Sequence, residues 1–427
     1  MLTEHENETL TRVGAGTPMG DLLRRYWHVV APLDEMDGRW TKRVRLFGED
    51  LVLFKDRSGR FGLIGEACPH RRASMAYGIP TDDGIRCPYH GWKFDGQGRC
   101  LEQPNEPEGS TFKDKVSLPG YPVQELGGML FAYLGPLPAP LLPRYDGFVA
   151  PGAIRVVAKA TIPCNWLQIM ENSMDPVHLE WLHGKQQEFV NERRNGEKTH
   201  FALHHLDIAF EEFEYGVYKR RLLQGKDGKP IDNSDWRVGH PVLFPATLAV
   251  GQAGGLWTMH AFQIRVPIDD VTTQHYWYTA FIPPEGATVP AHMLDRVMSF
   301  DFIYLNDDGS YKVELIDGQD IMAWCTPGPI FDRTAERLSW SDRGVILFRK
   351  MLFRELEAVA AGRDPIGTVR DPAKNEIIEF PLEHGRAQFE DGFESLSRRS
   401  SWSYYPHIDE LIDVFGRSKT DRQPAAV

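Results

Sequence analysis

The chain has 427 residues, 42% of them hydrophobic and 25% charged, with a formal charge of −12. That length exceeds a usual single core and predicts two domains, while the negative charge argues against non-specific nucleic-acid binding and against an acidic membrane surface. An odd set of five cysteines makes no disulfide framework, and neither an apolar signal segment nor a membrane-spanning run is visible, so a reducing cytoplasm is the expected setting.

In chain order, residues 1–40 read as an N-terminal helical segment, with a turn at Gly14-Ala15-Gly16-Thr17-Pro18-Met19-Gly20 and a short helix over 21–27. Those glycines make no phosphate loop, because no preceding strand or Lys-Ser/Thr pair accompanies them. From 41 to 155 the apolar runs shorten to strand size, at 44–47, 51–54 and 61–64, with a closing hairpin over 123–134. This pattern predicts a small antiparallel β domain. Inside it lie Cys68-Pro69-His70 and Cys87-Pro88-Tyr89-His90, two loops that each offer one thiolate and one imidazole. Two Cys on one iron and two His on the other is the ligand set of a Rieske [2Fe–2S] centre. The competing reading is a structural Cys₂His₂ zinc site, but zinc fingers place a cysteine pair before a histidine pair, whereas each loop here mixes the two. Cys100, Cys164 and Cys325 are left as plain thiols.

Residues 156–427 form the second expected domain. Near its start, Met170-Glu171-Asn172-Ser173-Met174-Asp175-Pro176-Val177-His178-Leu179-Glu180-Trp181-Leu182-His183 packs two histidines and three carboxylates into helix-like sequence. Imidazole and carboxylate with room for substrate is a non-haem Fe(II) ligand set. In a regular helix His178 and His183 would sit about 140° apart, so both reach one metal only where the helix is distorted or ends. Asp175 shares a face with His178 and can orient it from behind. A surface amphipathic helix with scattered histidines is the plain alternative. Alternating runs at 210–223, 247–266 and 275–281 predict an antiparallel sheet. Residues 341–361 predict a long amphipathic helix, capped at Ser341 or Asp342 and stopped by Gly362. The polar tail after 365 is expected to wrap the surface or a neighbour.

Three motifs then carry a resemblance: Cys68-Pro69-His70-Arg71-Arg72-Ala73-Ser74-Met75, Cys87-Pro88-Tyr89-His90-Gly91-Trp92, and Glu171 to His178 with His183. On them, and on the weaker stretches 14–20 and Gly328-Pro329-Ile330-Phe331-Asp332-Arg333-Thr334, the chain resembles, nearly end to end, the large (alpha) subunit of Rieske non-haem iron aromatic-ring oxygenases. It is most similar to the phthalate-dioxygenase type, a branch that includes methoxy-aromatic O-demethylases. The resemblance implies an α+β chain: a Rieske domain followed by a helix-grip catalytic domain of antiparallel sheet and long helix. It implies a [2Fe–2S] cluster on Cys68, His70, Cys87 and His90, and mononuclear Fe(II) on His178, His183 and a downstream aspartate. Asp320 is the choice for that ligand, with Asp317 as near rival and Asp332 read as a helix-start cap. A homotrimer is implied, in which Asp175 joins His178 to His90 of the partner subunit. Electrons would come from a separate reductase or ferredoxin fed by NAD(P)H, since the chain carries no flavin or nicotinamide fingerprint.

The expected substrates are O₂ and an aromatic carboxylic acid. Arg237 and His240 are the polar pair chosen to meet it, with Phe244, Leu248, Trp257, Met259 and Trp324 as apolar candidates. Lys219, Arg220, Arg221 and Arg265 are further carboxylate clamps, although an arginine on a strand is commonly a solvated face. The leading reaction is O-demethylation of a methoxylated, lignin-derived biaryl acid with formaldehyde release. The runner-up is cis-dihydroxylation of a phthalate-like or phenoxybenzoate-like acid. A Rieske electron carrier and a zinc-stabilised interaction module are the readings from other classes; the first leaves the residues after the β domain without a role.

Overall fold

The computed structural model describes residues 1–196, 198, 202–225, 227–231, 234–253, 258–294, 296–381, 383–384 and 392–415. The architecture is α+β, with three small antiparallel sheets in the N-terminal third and one large sheet after them. Two of the small sheets, Thr41–Leu46/Glu49–Lys55/Phe61–Gly65/Gly120–Tyr121 and Ile79–Thr81/Gly84–Arg86/Lys93–Phe94/Cys100–Glu102, carry the cysteine loops. Val52, Phe54, Ile64, Ile85 and Phe94 from these sheets close a compact core around Cys68, Cys87 and Trp92.

The third small sheet begins earlier than the sequence suggested. The helix expected to run to Trp27 stops at Leu23, and Trp27–Pro32 pairs with Met129–Tyr133 as a strand. The adjacent β-branched Val29 and Val30 favour the pleated surface. Val29, Ala31, Leu130 and Phe131 join the same core as Val242, Phe262 and Ile264 of the large sheet. A second tie is polar. The hairpin turn Phe47-Gly48, with φ of 50° and 79°, donates its N–H groups to the carbonyls of Pro267 (3.0 Å) and Ile268 (2.8 Å).

The large sheet runs His205–Phe213, Gly216–Gln224, His240–Leu243, Thr247–Ala253, Thr258–Pro267, Thr273–Ile282, Ile154–Ile162, Met298–Asp301. It is antiparallel along this path except where Ile154–Ile162 meets Met298–Asp301. Helix Trp166–Met174 packs on the strands Thr247–Ala253 and Thr258–Pro267, and the long helix Arg343–Ala360 packs on that helix in turn. The long helix buries Val345, Phe348, Met351, Leu352 and Val359, the stripe its period demands. The tail departs from expectation. Gly392–Arg399 and Ile408–Phe415 are amphipathic helices that bury Phe393, Leu396, Leu411 and Phe415 against Ile154, Phe281 and Trp324 in a second core. Among the described residues, no helix is long and apolar enough to cross a membrane.

Candidate metal centres and substrate cavity

The two cysteine loops share one backbone design. Cys68 N–H donates to the Ala73 carbonyl (2.9 Å) and Arg72 N–H to the Cys68 carbonyl (2.8 Å). In the second loop Cys87 N–H donates to Trp92 (2.8 Å) and Gly91 N–H to Cys87 (3.1 Å). Each loop turns on a left-handed residue four after its cysteine, Arg72 at φ 63° and Gly91 at φ 77°. The thiols are buried, while His70 is exposed and His90 half-buried. The two imidazoles meet edge-on with centroids 4.4 Å apart, and His70 stacks on Trp92 at 4.5 Å. Burial above all pushes the Cys68 thiol up to about 11, with the neighbouring Cys87 adding to it, so a thiolate pair here calls for a cation. The four donors do not gather into one cage, since the described groups of three or more donors within 4.8 Å lie elsewhere. Buried sulfurs on one side and outward imidazoles on the other fit a two-iron cluster rather than a single tetrahedral zinc.

The turn at Gly91 gives a direct test. A Cβ there would lie 2.9 Å from Pro104 Cγ, and the left-handed backbone alone costs a non-glycine residue about 1–2 kcal/mol. Gly91→Ala is expected to lower cluster content, read as acid-labile sulfide and visible absorption per chain. Full cluster occupancy in that variant would refute the role given to this turn.

The histidine segment is distorted where its spacing requires it. After Asp175 ends helix Trp166–Met174, a single turn His178–Glu180 passes into a π-helical turn, Trp181–Lys185, closed by Gln186 N–H on the Trp181 carbonyl. The wider turn brings His183 back beside His178, five residues on. Both Nε2 atoms face Asp320 Oδ1, His183 at 3.2 Å and His178 at 3.9 Å, and the three donor groups lie within 4.8 Å of one another. Behind the rings, His183 Nδ1 bonds Gln319 Oε1 at 2.8 Å, and His178 Nδ1 lies 3.6 Å from Asp175 Oδ2. Gln319 is itself fixed, because its Nε2 donates to Gln187 Oε1 (2.7 Å) and to the Val313 carbonyl (2.8 Å). Its Oε1 must then accept from His183 Nδ1–H, which leaves the Nε2 lone pair for a metal. Asp320 Oδ1 is buried without a hydrogen-bond partner, an orphan that a divalent cation would satisfy.

Burial would raise the Asp320 carboxyl, but His183, His178 and Arg265 together hold it below the ordinary carboxylate range. Asp317, one turn earlier, instead accepts Ser401 N–H at 2.6 Å and is pushed up to about 6, chiefly by burial. It ties down the tail and is not among the three donors that converge. Asp332 is exposed and accepts the Thr334 N–H (2.9 Å) in a local turn rather than starting a helix.

A buried ion network holds this region in place. Arg333 grips Glu171 with Nε (2.8 Å to Oε1) and a terminal nitrogen (2.7 Å to Oε2). Arg349 of the long helix takes the same carboxylate (2.7 Å) and is itself clamped by Glu336 (2.5 and 2.9 Å). Gln168 bonds the carbonyls of Trp324 and Gly328 and accepts Phe331 N–H, docking residues 328–333 on the helix that ends at Asp175.

His178, His183 and Asp320 line a cavity of about 650 Å³. Its apolar wall includes Leu248, Val250, Met259, Phe262 and Trp277, and its polar side includes Lys219, Arg221, His240 and Arg399. Arg221 and His240 each lie 3.2 Å from buried Asp235. The structure brings His240, Lys219, Arg221, Leu248 and Met259 to the cavity but not Arg237, Phe244, Arg220, Arg265 or Trp324. Arg237 is exposed on the turn Ser234–Arg237, outside the lining. Phe244 is buried outside the lining, against Tyr26 and Phe348. Trp257 lies outside the described residues. Arg220 turns outward to Glu211 at 2.6 Å, Arg265 is fully buried with its guanidinium on Gln263, and Trp324 stacks on His275 away from the lining. Gln319, Gln187 and the cavity-lining tail residues Arg399 and Trp402 were not anticipated. The 3.6-residue period of Phe393 and Leu396 was the available signal for the tail; the two glutamines carried none.

Residues 26–122 match the Rieske [2Fe-2S] domain, and residues 305–381 match the family described as LigXa C-terminal domain like. Over 395 residues the chain is 41% identical to the 5,5′-dehydrodivanillate O-demethylase oxygenase subunit of Sphingobium sp., covering 91% of this chain and 89% of that one. It is 36% identical to the phthalate 4,5-dioxygenase oxygenase subunit of Pseudomonas putida, with coverage of 89% and 92%. The terminal oxygenase of carbazole 1,9a-dioxygenase from Novosphingobium sp. KA1 has the same fold, with a TM-score of 0.57 at 20% identity, over 81% of this chain and 96% of that one.

Proposed function

Since the chain belongs to the Rieske non-haem iron aromatic-ring oxygenases, as an alpha subunit of the phthalate-dioxygenase type, we propose that it is the oxygenase component that O-demethylates a methoxylated biaryl acid of lignin type. Cys68, Cys87, His70 and His90 hold the [2Fe–2S] cluster, and His178, His183 and Asp320 hold the iron. Bound there, the iron supplies dioxygen activation, for which two His and one carboxylate leave positions open. Residues 41–155 serve as the cluster domain and 156–427 as the iron domain. The chain works as a homotrimer in the cytoplasm and takes electrons from a separate NAD(P)H-dependent reductase.

One observation carries the substrate class. Beside the His178/His183/Asp320 group, the cavity sets aromatic and aliphatic side chains against Lys219 and Arg221. Its volume suits a two-ring ligand, and Lys219 and Arg221, the latter paired with Asp235, are the cations a substrate carboxylate would meet. The O-demethylase relative directs the reaction: hydroxylation of a methoxy carbon gives a hemiacetal that releases formaldehyde and leaves a phenol.

The test is product mass analysis with purified protein, a compatible reductase, NADH, O₂ and paired methoxylated and unmethoxylated aromatic acids. Loss of one methyl group with matching formaldehyde is the expected result. Two new ring hydroxyls would replace the proposal with cis-dihydroxylation. Turnover confined to uncharged arenes would overturn the acid substrate.

A further inference from the structure

A second group of metal-type donors lies on the outer side of the C-terminal segment. His292, on the turn Ala291–Leu294, converges on His407 and Glu410, which flank the start of helix Ile408–Phe415. Their donor atoms all lie within 4.8 Å of one another. Glu410 Oε1 lies 2.7 Å from His407 Nδ1 and its Oε2 lies 3.4 Å from His292 Nε2. The two imidazoles are 4.7 Å apart, centroid to centroid. The backbones beneath them are anchored, because Met293, Ile408 and Leu411 are buried in the second core. We infer that His292, His407 and Glu410 form a structural binding site for a divalent transition-metal ion of the zinc type, distinct from both iron centres.

Two arguments carry the assignment. Two imidazoles and a carboxylate are donors suited to Zn²⁺ and its neighbours, and a fourth position stays open to water. The donors also come from two segments far apart in sequence, so a shared ion would clip the C-terminal helix to the turn Ala291–Leu294. That clip would steady the nearby cavity wall, to which Ser401 and Trp402 belong. A hydrogen-bonded His407–Glu410 pair at the helix start would not require His292 to be there.

Zinc chloride titrated calorimetrically into the iron-loaded protein tests the site. One further Zn²⁺ per chain should bind without release of iron, which elemental analysis would follow. His292→Ala and His407→Ala should each weaken binding by about 100-fold or more, since even outer partners of metal ligands are worth 10–100-fold. Both histidines are partly exposed, at 45% and 32%, so the variants should fold, and their cluster absorption would verify it. His178→Ala should leave this binding unchanged. Zinc uptake that survives both surface variants, disappears in His178→Ala or displaces iron would overturn the assignment, as would the absence of saturable uptake.

Discussion

Asp175→Asn is expected to leave the cluster and the mononuclear iron in place while substrate-coupled oxygen consumption falls by about 10–100-fold. Asp175 ends helix Trp166–Met174, with one oxygen accepting the Val177 N–H (2.7 Å) and the other facing His178 Nδ1 at 3.6 Å. Burial would raise its carboxyl, but His178 and the Val177 N–H bring it below the ordinary value. The carboxylate is therefore the form that this corner favours. The proposed link runs from this carboxylate to His90 of the partner subunit. An asparagine keeps the size and one acceptor oxygen but removes the negative charge that faces His178 Nδ1. Iron and sulfide contents should equal those of the parent protein, which separates this outcome from a folding defect. Undiminished coupled turnover would count against the bridge.

Arg333→Ala should be the costliest single truncation for stability. Arg333 is fully buried, and its removal takes the forked contact from the buried Glu171 carboxylate and leaves it Arg349 alone. Breaking one partner out of a buried ion pair typically costs about 3–5 kcal/mol. Arg333→Lys should recover little of the loss, because an ammonium cannot supply the forked contact. Arg349 and Glu336 share the network, so Glu171→Gln should destabilise in the same direction. Chemical denaturation followed by circular dichroism is the measurement, and unfolding of Arg333→Ala at the parent denaturant concentration would show that the network contributes nothing. The residues at 328–334, which marked only a branch of the family in the sequence, thus acquire a physical reason. They hold the loop and its arginine against the helix that ends at Asp175.

The parts of the site legible in the sequence are those whose chemistry is written in residue type and local spacing. Mixed Cys–His loops and a histidine pair five apart need no tertiary information, and the second of these even demanded the distortion that the π-helical turn provides. The same was true of the long helix, whose apolar stripe is local. What failed depended on register. Arg237 and Phe244 flank the strand His240–Leu243, yet a short turn sends one to solvent, and the other packs against Tyr26 and Phe348 outside the cavity lining. Nothing in the primary sequence says which side of a strand becomes the cavity until its neighbours are paired. Gln319 and Gln187 were invisible for another reason. An amide has no charge and no typical spacing, and its role appears only once the carbonyl it must face is fixed by its own hydrogen bonds.

The π-helical turn has one last consequence, which concerns phase. It is an α-helix with a surplus residue, so the helical segments before and after it are out of step by about 100°. That offset points Gln187 inward to Gln319 while Trp181 and Phe189 face outward. Cutting one residue between His178 and His183 would still leave two histidines able to share a face, now four apart. It would, however, rotate the following helix, Gln187 included, away from the amide that orients His183. The count of residues across this stretch is therefore a rigid quantity, set by angle rather than by length.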